Sequence, residues 1–309
     1  MPATARPLKI GTRGSPLALA QAHETRARLA KAHDLAEDGF EIQVIKTTGD
    51  QIQDRALSEI GGKGLFTKEI EEALLNGRID IAVHSMKDMP TVLPDGLIIP
   101  CLLPREDVRD AFISHRHAGI AALPEGAVVG SSSLRRRAQL LHRRPDLRVV
   151  EFRGNVQTRL RKLEEGVAEA TFLAAAGLRR LGQLELASNA ISVDDMLPAV
   201  AQGAIGIECR AGDTGVLDML EAINHAETGT RLAAERAFLA GLDGSCRTPI
   251  AGLAEITGDQ LWLRGEIVRP DGSELHTTER RGALTDAGAM GADAAAELRG
   301  LGGADFFTA

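Results

Sequence analysis

Four short clusters in this sequence place reactive or ionisable side chains where they could do chemistry. One is Gly244-Ser245-Cys246-Arg247-Thr248-Pro249, in which Arg247 would favour the thiolate of Cys246 and make it a candidate nucleophile or covalent attachment point. Most lone cysteines are inert, and no His spacing suggests a protease-like pair. A second is His84-Ser85-Met86-Lys87-Asp88-Met89-Pro90, which follows the apolar run Ile81-Ala82-Val83. Asp88 beside Lys87 at the carboxyl end of a strand suits acid/base or charge-stabilising work, and Lys87 could form a Schiff base; the plainer alternative is an ion pair that fixes a turn. A third, Arg13-Gly14-Ser15, lies where a strand gives way to a helix, the place where open α/β sheets bind ligands. Taken alone it reads most simply as a capping Ser and a surface Arg.

The fourth cluster has two parts, Ser131-Ser132-Ser133-Leu134-Arg135-Arg136 and Arg153-Gly154-Asn155, each between a strand and a helix. Helix N-termini bind anions, and arginines there are unfavourable by about 0.3 to 1 kcal/mol each unless an anion lies between them. The expectation is therefore an anionic ligand. At 3.6 residues per turn Arg135, Arg136 and Arg137 point about 100° apart, so all three cannot grip one group, and Arg137 is expected to be solvated or salt-bridged. Arg159, about one turn into the following helix, can join Arg153, whereas Arg161 points elsewhere. Arginine fits carboxylates and phosphates bidentately, and several around one site imply a ligand with several such groups.

The elements that must hold these residues alternate. Strands are expected at Leu8–Thr12, Phe40–Thr47 and Ile79–His84, with helices from Pro16 to about Lys31 and Leu65 to Asn76, an α/β unit with a parallel sheet. Ser15 as N-cap and Pro16 at the first helical position mark the first helix start. The long connection from Gly49 to Gly64 reads as a functional loop. A second α/β unit has strands Ala127–Gly130, Leu147–Phe152 and Ala170–Ala174, each followed by a helix. The strand-like Gly203–Cys209 then returns to the first sheet. After a helix from about Ala226, hairpins at Gly258-Asp259 and Asp271-Gly272 and a final Ala-rich helix form an α+β unit. No internal sequence repeat is evident.

Composition removes whole classes of function. With 309 residues, 44% apolar and 26% charged, the chain can bury a sizeable core without disulfide staples. The longest stretch lacking Asp, Glu, Lys and Arg, Met196 to Ile207, is far shorter than the roughly 20 residues of a membrane span. No secretory signal is read at the N-terminus, so the expected location is cytoplasmic. Cys101, Cys209 and Cys246 are too far apart for a zinc site. A net charge of -7 and 3% aromatic residues, with no Tyr, disfavour nucleic acid and anionic lipid as partners.

In this order the motifs resemble the porphobilinogen deaminases over nearly the whole chain. The residues that carry the resemblance are Gly11 to Leu19, Gly61-Gly62-Lys63-Gly64-Leu65-Phe66, Asp80 to Asp88, Ser131 to Arg136, Arg153-Gly154-Asn155, Ala176 to Gly182, Ala201-Gln202-Gly203-Ala204 and Ala234 to Phe238. The resemblance implies an α/β fold of two periplasmic-binding-protein-like domains with an interdomain cleft, plus a smaller α+β C-terminal domain. Its domains would be 1–104 with 198–222, 105–197, and 223–309, the last carrying the cofactor cysteine.

It further implies a monomeric transferase of tetrapyrrole (haem-type) biosynthesis that deaminates four porphobilinogen molecules and condenses them head to tail into hydroxymethylbilane. A covalent dipyrromethane cofactor, held by a thioether to Cys246, would prime the chain. Carried over position by position, Asp88 would be catalytic, hydrogen-bonding pyrrole N–H groups, assisting loss of ammonia and stabilising a cationic azafulvene. Ser15, Lys87, Asp88, Ser131, Ser133, Arg135 and Arg136 would bind the cofactor. Arg13, Arg153, Arg159 and Arg180 would bind substrate carboxylates, and Lys63 and Phe66 would belong to a mobile loop. The resemblance allows a transient contact with uroporphyrinogen III synthase. Departures are Glu59, where family members carry Lys, and Ser245 in place of Gly. Two other classes compete: a non-catalytic binding protein for a small polycarboxylate, which gives Asp88 and Cys246 no task, and a nucleic-acid-binding module, which would want aromatics or a recognised motif.

Overall fold

The computed structural model describes residues 6–51, 66–244, 248–303 and 305–307. They fall into two compact units, one formed by residues within 1–53, 62–106 and 204–229, the other by residues within 107–203 and 230–309.

The first unit runs β1 (Leu8–Thr12), α1 (Pro16–Ala32), β2 (Phe40–Val44), α2 (Thr48–Gln51), α3 (Lys68–Leu75), β3 (Ile81–Ser85) and β4 (Leu97–Leu102). The second unit opens with β5 (Asp110–Ile113), β6 (Val128–Gly130), α4 (Leu134–Arg143), β7 (Arg148–Val150), α5 (Val156–Glu164), β8 (Ala170–Ala174), α6 (Ala175–Arg180) and α7 (Leu184–Ser188). The chain then supplies β9 (Ile205–Arg210) and α8 (Thr214–Glu221) to the first unit. It ends with α9 (Ala226–Gly241), β10 (Ile250–Thr257), β11 (Gln260–Val268), β12 (Leu275–Ala283) and α10 (Ala287–Gly302).

The first sheet has the order β2-β1-β3-β9-β4. β1 pairs in parallel with β2 and β3, whereas β9 runs antiparallel to both β3 and β4. The three strands expected from the alternation do pair in parallel, and Gly203–Cys209 returns to their sheet as expected, running in the opposite direction, which the sequence reading left open. Apolar residues cover both faces, with Leu29 of α1 and Leu220 of α8 in one core and Ile70 and Leu74 of α3 in another. Hence β3 and β9 are buried almost throughout rather than at alternate residues, their His84 and Glu208 included.

The four-stranded sheet of the second unit has the order β5-β8-β6-β7, with β6 parallel to β7 and β8 and β5 antiparallel to β8. Both sheets share one plan: a central strand, its successor on one side, the next strand on the other, and then an antiparallel strand arriving by a crossover. The third sheet, β10-β11-β12, is an antiparallel meander whose turns fall at Gly258-Asp259 and Asp271-Gly272, as the sequence predicts. On β11 the Trp262 ring lies between two guanidinium groups, Arg264 at 4.2 Å and Arg281 at 4.4 Å from its centroid, and its Nε1 donates to Glu279 Oε2 at 2.9 Å.

Other differences are local. β2 ends at Val44 instead of Thr47, because Thr48 opens α2, its N–H and hydroxyl both donating to Glu69. α3 begins at Lys68 rather than near residue 65. β4 and β5, absent from the sequence reading, complete the sheets, and α8, also absent from it, packs in the core of the first. Among the described residues no helix is long and apolar enough to cross a membrane, and no His/Cys/Asp/Glu cluster could hold a metal ion.

Candidate active site

In the first unit the carboxyl ends of β1 and β3 open onto a recess lined by Arg13, Ser15, Gln21, Phe66, Ser85 and Asp88, among others. Each arrives by local necessity. Arg13 is the first residue past β1, and Ser15 caps α1 by accepting the Ala18 N–H at 3.2 Å, so the expected cap is present. β3 ends in a single 3-10 turn, Met86–Asp88, that leaves Lys87 and Asp88 half-buried. The Arg13 guanidinium stacks on the Phe66 ring at 4.1 Å, which joins a residue of the loop after β2 to the end of β1. Gln21 and Ser85 exchange hydrogen bonds at 2.8 and 3.1 Å, a polar pair that sequence reasoning missed because its two members are 64 residues apart. Beneath lies a buried pair, His84 Nε2 to Glu208 Oε2 at 3.0 Å.

In the second unit two helix starts carry the expected arginines. Ser133 caps α4 by accepting the Arg136 N–H, and Ser131, itself buried, accepts the Ser133 N–H at 3.2 Å. Asn155 caps α5 by accepting the Thr158 N–H at 2.9 Å, after Gly154 turns the chain at φ +122°, a conformation closed to most L-residues. Beneath the serine turn Gly130 lets the Phe152 ring approach so closely that a Cβ would lie 2.4 Å from it.

The arginines then divide. Arg135 and Arg136 are only 4% and 6% exposed and share one fully buried carboxylate: Arg135 Nη2 donates to Asp110 Oδ2 at 2.7 Å and Arg136 Nη2 to Asp110 Oδ1 at 2.6 Å. Their other terminal nitrogens donate to the Leu197 and Phe172 carbonyls. Thus the anion that charge reasoning placed between arginines is, for these two, supplied by the chain itself. Arg137 is exposed, as expected from the helical rotation. The two guanidiniums hold the Asp110 carboxyl far below its ordinary range against the opposing effect of burial. Sequence reasoning missed Asp110; its only signal was an acid at the head of an apolar strand.

Among the described residues Arg153 and Arg159 have no such carboxylate partner. Burial, with the nearby positive charges of Arg136 and Arg153, brings the Arg159 pKa down to about 10, while Glu151 opposes this weakly. Arg159 Nε donates to the Gly154 carbonyl, whereas among the described residues the buried Arg153 Nη1, Arg135 Nε and Arg136 Nε have no hydrogen-bond partner. Arg161 is exposed and paired with Glu165. Arg180 is half-buried and donates to the Gly203 carbonyl at 3.0 Å. Cys101 and Cys209 are buried in the first sheet, where desolvation pushes their thiols up to about 12 and about 11, so neither is a nucleophile. Lys63 and Cys246 lie outside the described residues, as do Glu59 and Ser245.

Two α/β sheets built to one plan, with a carboxylate at a recess of one unit and, in the other, buried arginine nitrogens that no described residue satisfies, define an α/β protein equipped to hold anions. The family model described as porphobilinogen deaminase, dipyromethane cofactor binding domain, matches residues 8–218, and the one described as porphobilinogen deaminase, C-terminal domain, matches residues 230–300. Porphobilinogen deaminase of Paracoccus denitrificans is 67% identical over 307 residues, covering 99% of this chain and 98% of that protein. The chloroplastic porphobilinogen deaminase of Oryza sativa is 59% identical, covering 97% and 85%. Among solved structures, a periplasmic binding protein of Salmonella typhimurium is similar with a TM-score of 0.40 at 14% identity, over 73% of this chain and 94% of that one. The chain belongs to the porphobilinogen deaminase family.

Proposed function

We infer that this chain is a transferase that deaminates four porphobilinogen molecules and joins them head to tail into hydroxymethylbilane, with a dipyrromethane cofactor as primer. The observation that carries the reading is that Asp88 and Arg13 line one recess, a carboxylate for ring N–H groups beside a cation for ring carboxylates.

The donor set fits the cofactor. Each of its rings bears an acetate and a propionate, and the buried nitrogens of Arg135, Arg136 and Arg153 that no described residue satisfies are donors that carboxylates would satisfy. Ser15, Lys87, Ser131, Ser133, Arg135 and Arg136 would hold it, Asp88 would accept its pyrrole N–H groups, and Cys246 would carry it as a thioether. When bound, it supplies the terminal ring to which the first substrate is joined.

Each coupling exchanges the aminomethyl C–N bond of porphobilinogen for a C–C bond, and ammonia leaves with the proton released from the attacked carbon; after the fourth coupling water releases the tetrapyrrole from the primer, supplying the hydroxyl of hydroxymethylbilane while the proton returns to the primer's carbon. Asp88, which lines the recess, would face the positive charge that develops on the substrate ring as ammonia departs. A fixed carboxylate there stabilises the transition state more than the bound substrate. Arg13, Arg153, Arg159 and Arg180 would bind substrate carboxylates, and Phe66 with Lys63 would belong to the loop over the site. The assignment of 1–104 with 198–222, 105–197 and 223–309 to three domains is supported by each stretch owning one sheet. We place the protein in the cytoplasm, with uroporphyrinogen III synthase as a transient partner that receives the product.

Intact mass tests the reading. The wild-type chain should exceed its sequence mass by two deaminated pyrrole units, and Cys246→Ala should fold, lack the excess and make no hydroxymethylbilane. Cys101→Ser and Cys209→Ser should keep it. An active Cys246→Ala protein, or an adduct lost with Cys101, overturns the assignment.

A further inference from the structure

Asp110 is fully buried at the head of β5, and its two oxygens receive three donors. Arg135 Nη2 takes one oxygen; Arg136 Nη2 and, at 2.9 Å, Gln202 Nε2 take the other. Arg135 and Arg136 are consecutive residues about 100° apart around α4, so left alone their side chains would diverge. One carboxylate draws both guanidinium groups to a common point. The carbonyls of Leu197 and Phe172 fix the second nitrogen of each. Glu266 also attracts Arg135, but burial raises its carboxyl to about 7, so it offsets only part of the excess; the pair stays net positive, with Arg159 adding positive charge beside Arg136 and, among the described residues, no partner for the Nε of either arginine. Burying such an excess is costly unless a further anion joins it.

We propose that Asp110 is the positioning residue of the anion site: it holds Arg135 and Arg136 in place before any pyrrole carboxylate arrives, while leaving their surplus charge for that carboxylate. The proposal rests on reading these two arginines as cofactor-binding. An arginine held in advance loses less freedom when it binds, so the effect of Asp110 falls on the concentration of substrate needed to load the cofactor. Gln202 shares the task by holding the Asp110 carboxylate.

The test uses full-length chain expressed in cells that make no porphobilinogen. Porphobilinogen is then added and the covalent adduct is followed by intact mass. A merely structural loss lowers the fraction of molecules that load and leaves the half-saturating concentration unchanged. Asp110→Asn should raise that concentration at least tenfold, and Asp110→Glu, which keeps the charge one methylene further out, should recover part of the loss. Wild-type half-saturation in folded Asp110→Asn overturns the proposal. If Asp110→Asn fails to fold, Asp110→Glu decides: a raised value supports the positioning role and a wild-type value refutes it. Arg136→Gln is the control for the underlying reading, since wild-type loading in that variant removes the arginine from the site whatever Asp110 does.

Discussion

At the scale of single residues, the sharpest division lies between two carboxylates. Asp88 is half-buried at the recess, and Asp110 is sealed among arginines. Asp88→Asn keeps the shape and removes the charge, so turnover should fall on the order of 10²-fold or more, the scale for one preorganised electrostatic group. Asp88→Glu should fall between the two. Steady-state kinetics checks this: a variant in which only KM rises would make Asp88 a binding residue. Asp88 was legible in the sequence because its motif is contiguous, whereas Asp110 was not. Its meaning depends on Arg135, Arg136 and Gln202, and the nearest of these is 25 residues away. Motifs that are local in sequence announce themselves; charge balance assembled from distant segments does not.

Among the elements, the starts of α4 and α5 do most to shape the cation-rich site, and here the sequence was largely sufficient. Ser133, Asn155 and Gly154 signal the caps and the turn, and Pro16 after Ser15 does the same for α1. The strands were harder. β4 carries Pro100 and a register shift between Ile98 and Cys101, which hide its period, and β5 is only four residues long. The antiparallel course of β9 could not be read at all, because strand direction depends on which partner the chain returns to. Two outcomes belong to this scale. Arg153→Leu or Arg159→Leu should stall elongation while leaving the far-UV circular dichroism unchanged, as shown by counting pyrrole additions by mass. Gly130→Ala forces a Cβ into the buried Phe152 ring beneath the serine turn and should destabilise by about 1 to 3 kcal/mol in urea denaturation.

For the molecule as a whole, stability should carry a pH signature from Glu266 on β11. Burial raises its carboxyl to about 7 from an ordinary 4.5, against the pull of Arg135 and Arg143. A carboxyl whose pKa is raised on folding stabilises below its unfolded value, and this contribution is lost as pH rises through about 7. Glu266→Gln abolishes that loss. Relative to wild type, the variant should therefore gain on the order of 3 kcal/mol between pH 4.5 and pH 8, measured by parallel denaturation curves. A difference that is flat in pH would show that the Glu266 carboxyl has the same pKa folded and unfolded.

Trp262, held between Arg264 and Arg281, is the one tryptophan of a chain without tyrosine. Ultraviolet emission excited at long wavelength therefore comes from a single point on the third sheet. An unfolding curve recorded by that emission follows the C-terminal meander alone, whereas far-UV circular dichroism averages over every helix and strand. Where the two curves coincide the chain melts as one cooperative body, and where they separate the meander has its own transition. The same scarcity makes absorbance near 280 nm weak for a protein of this mass, so concentrations should be taken from the peptide bond, and a pyrrole chromophore on the cysteine would stand out against an unusually quiet background.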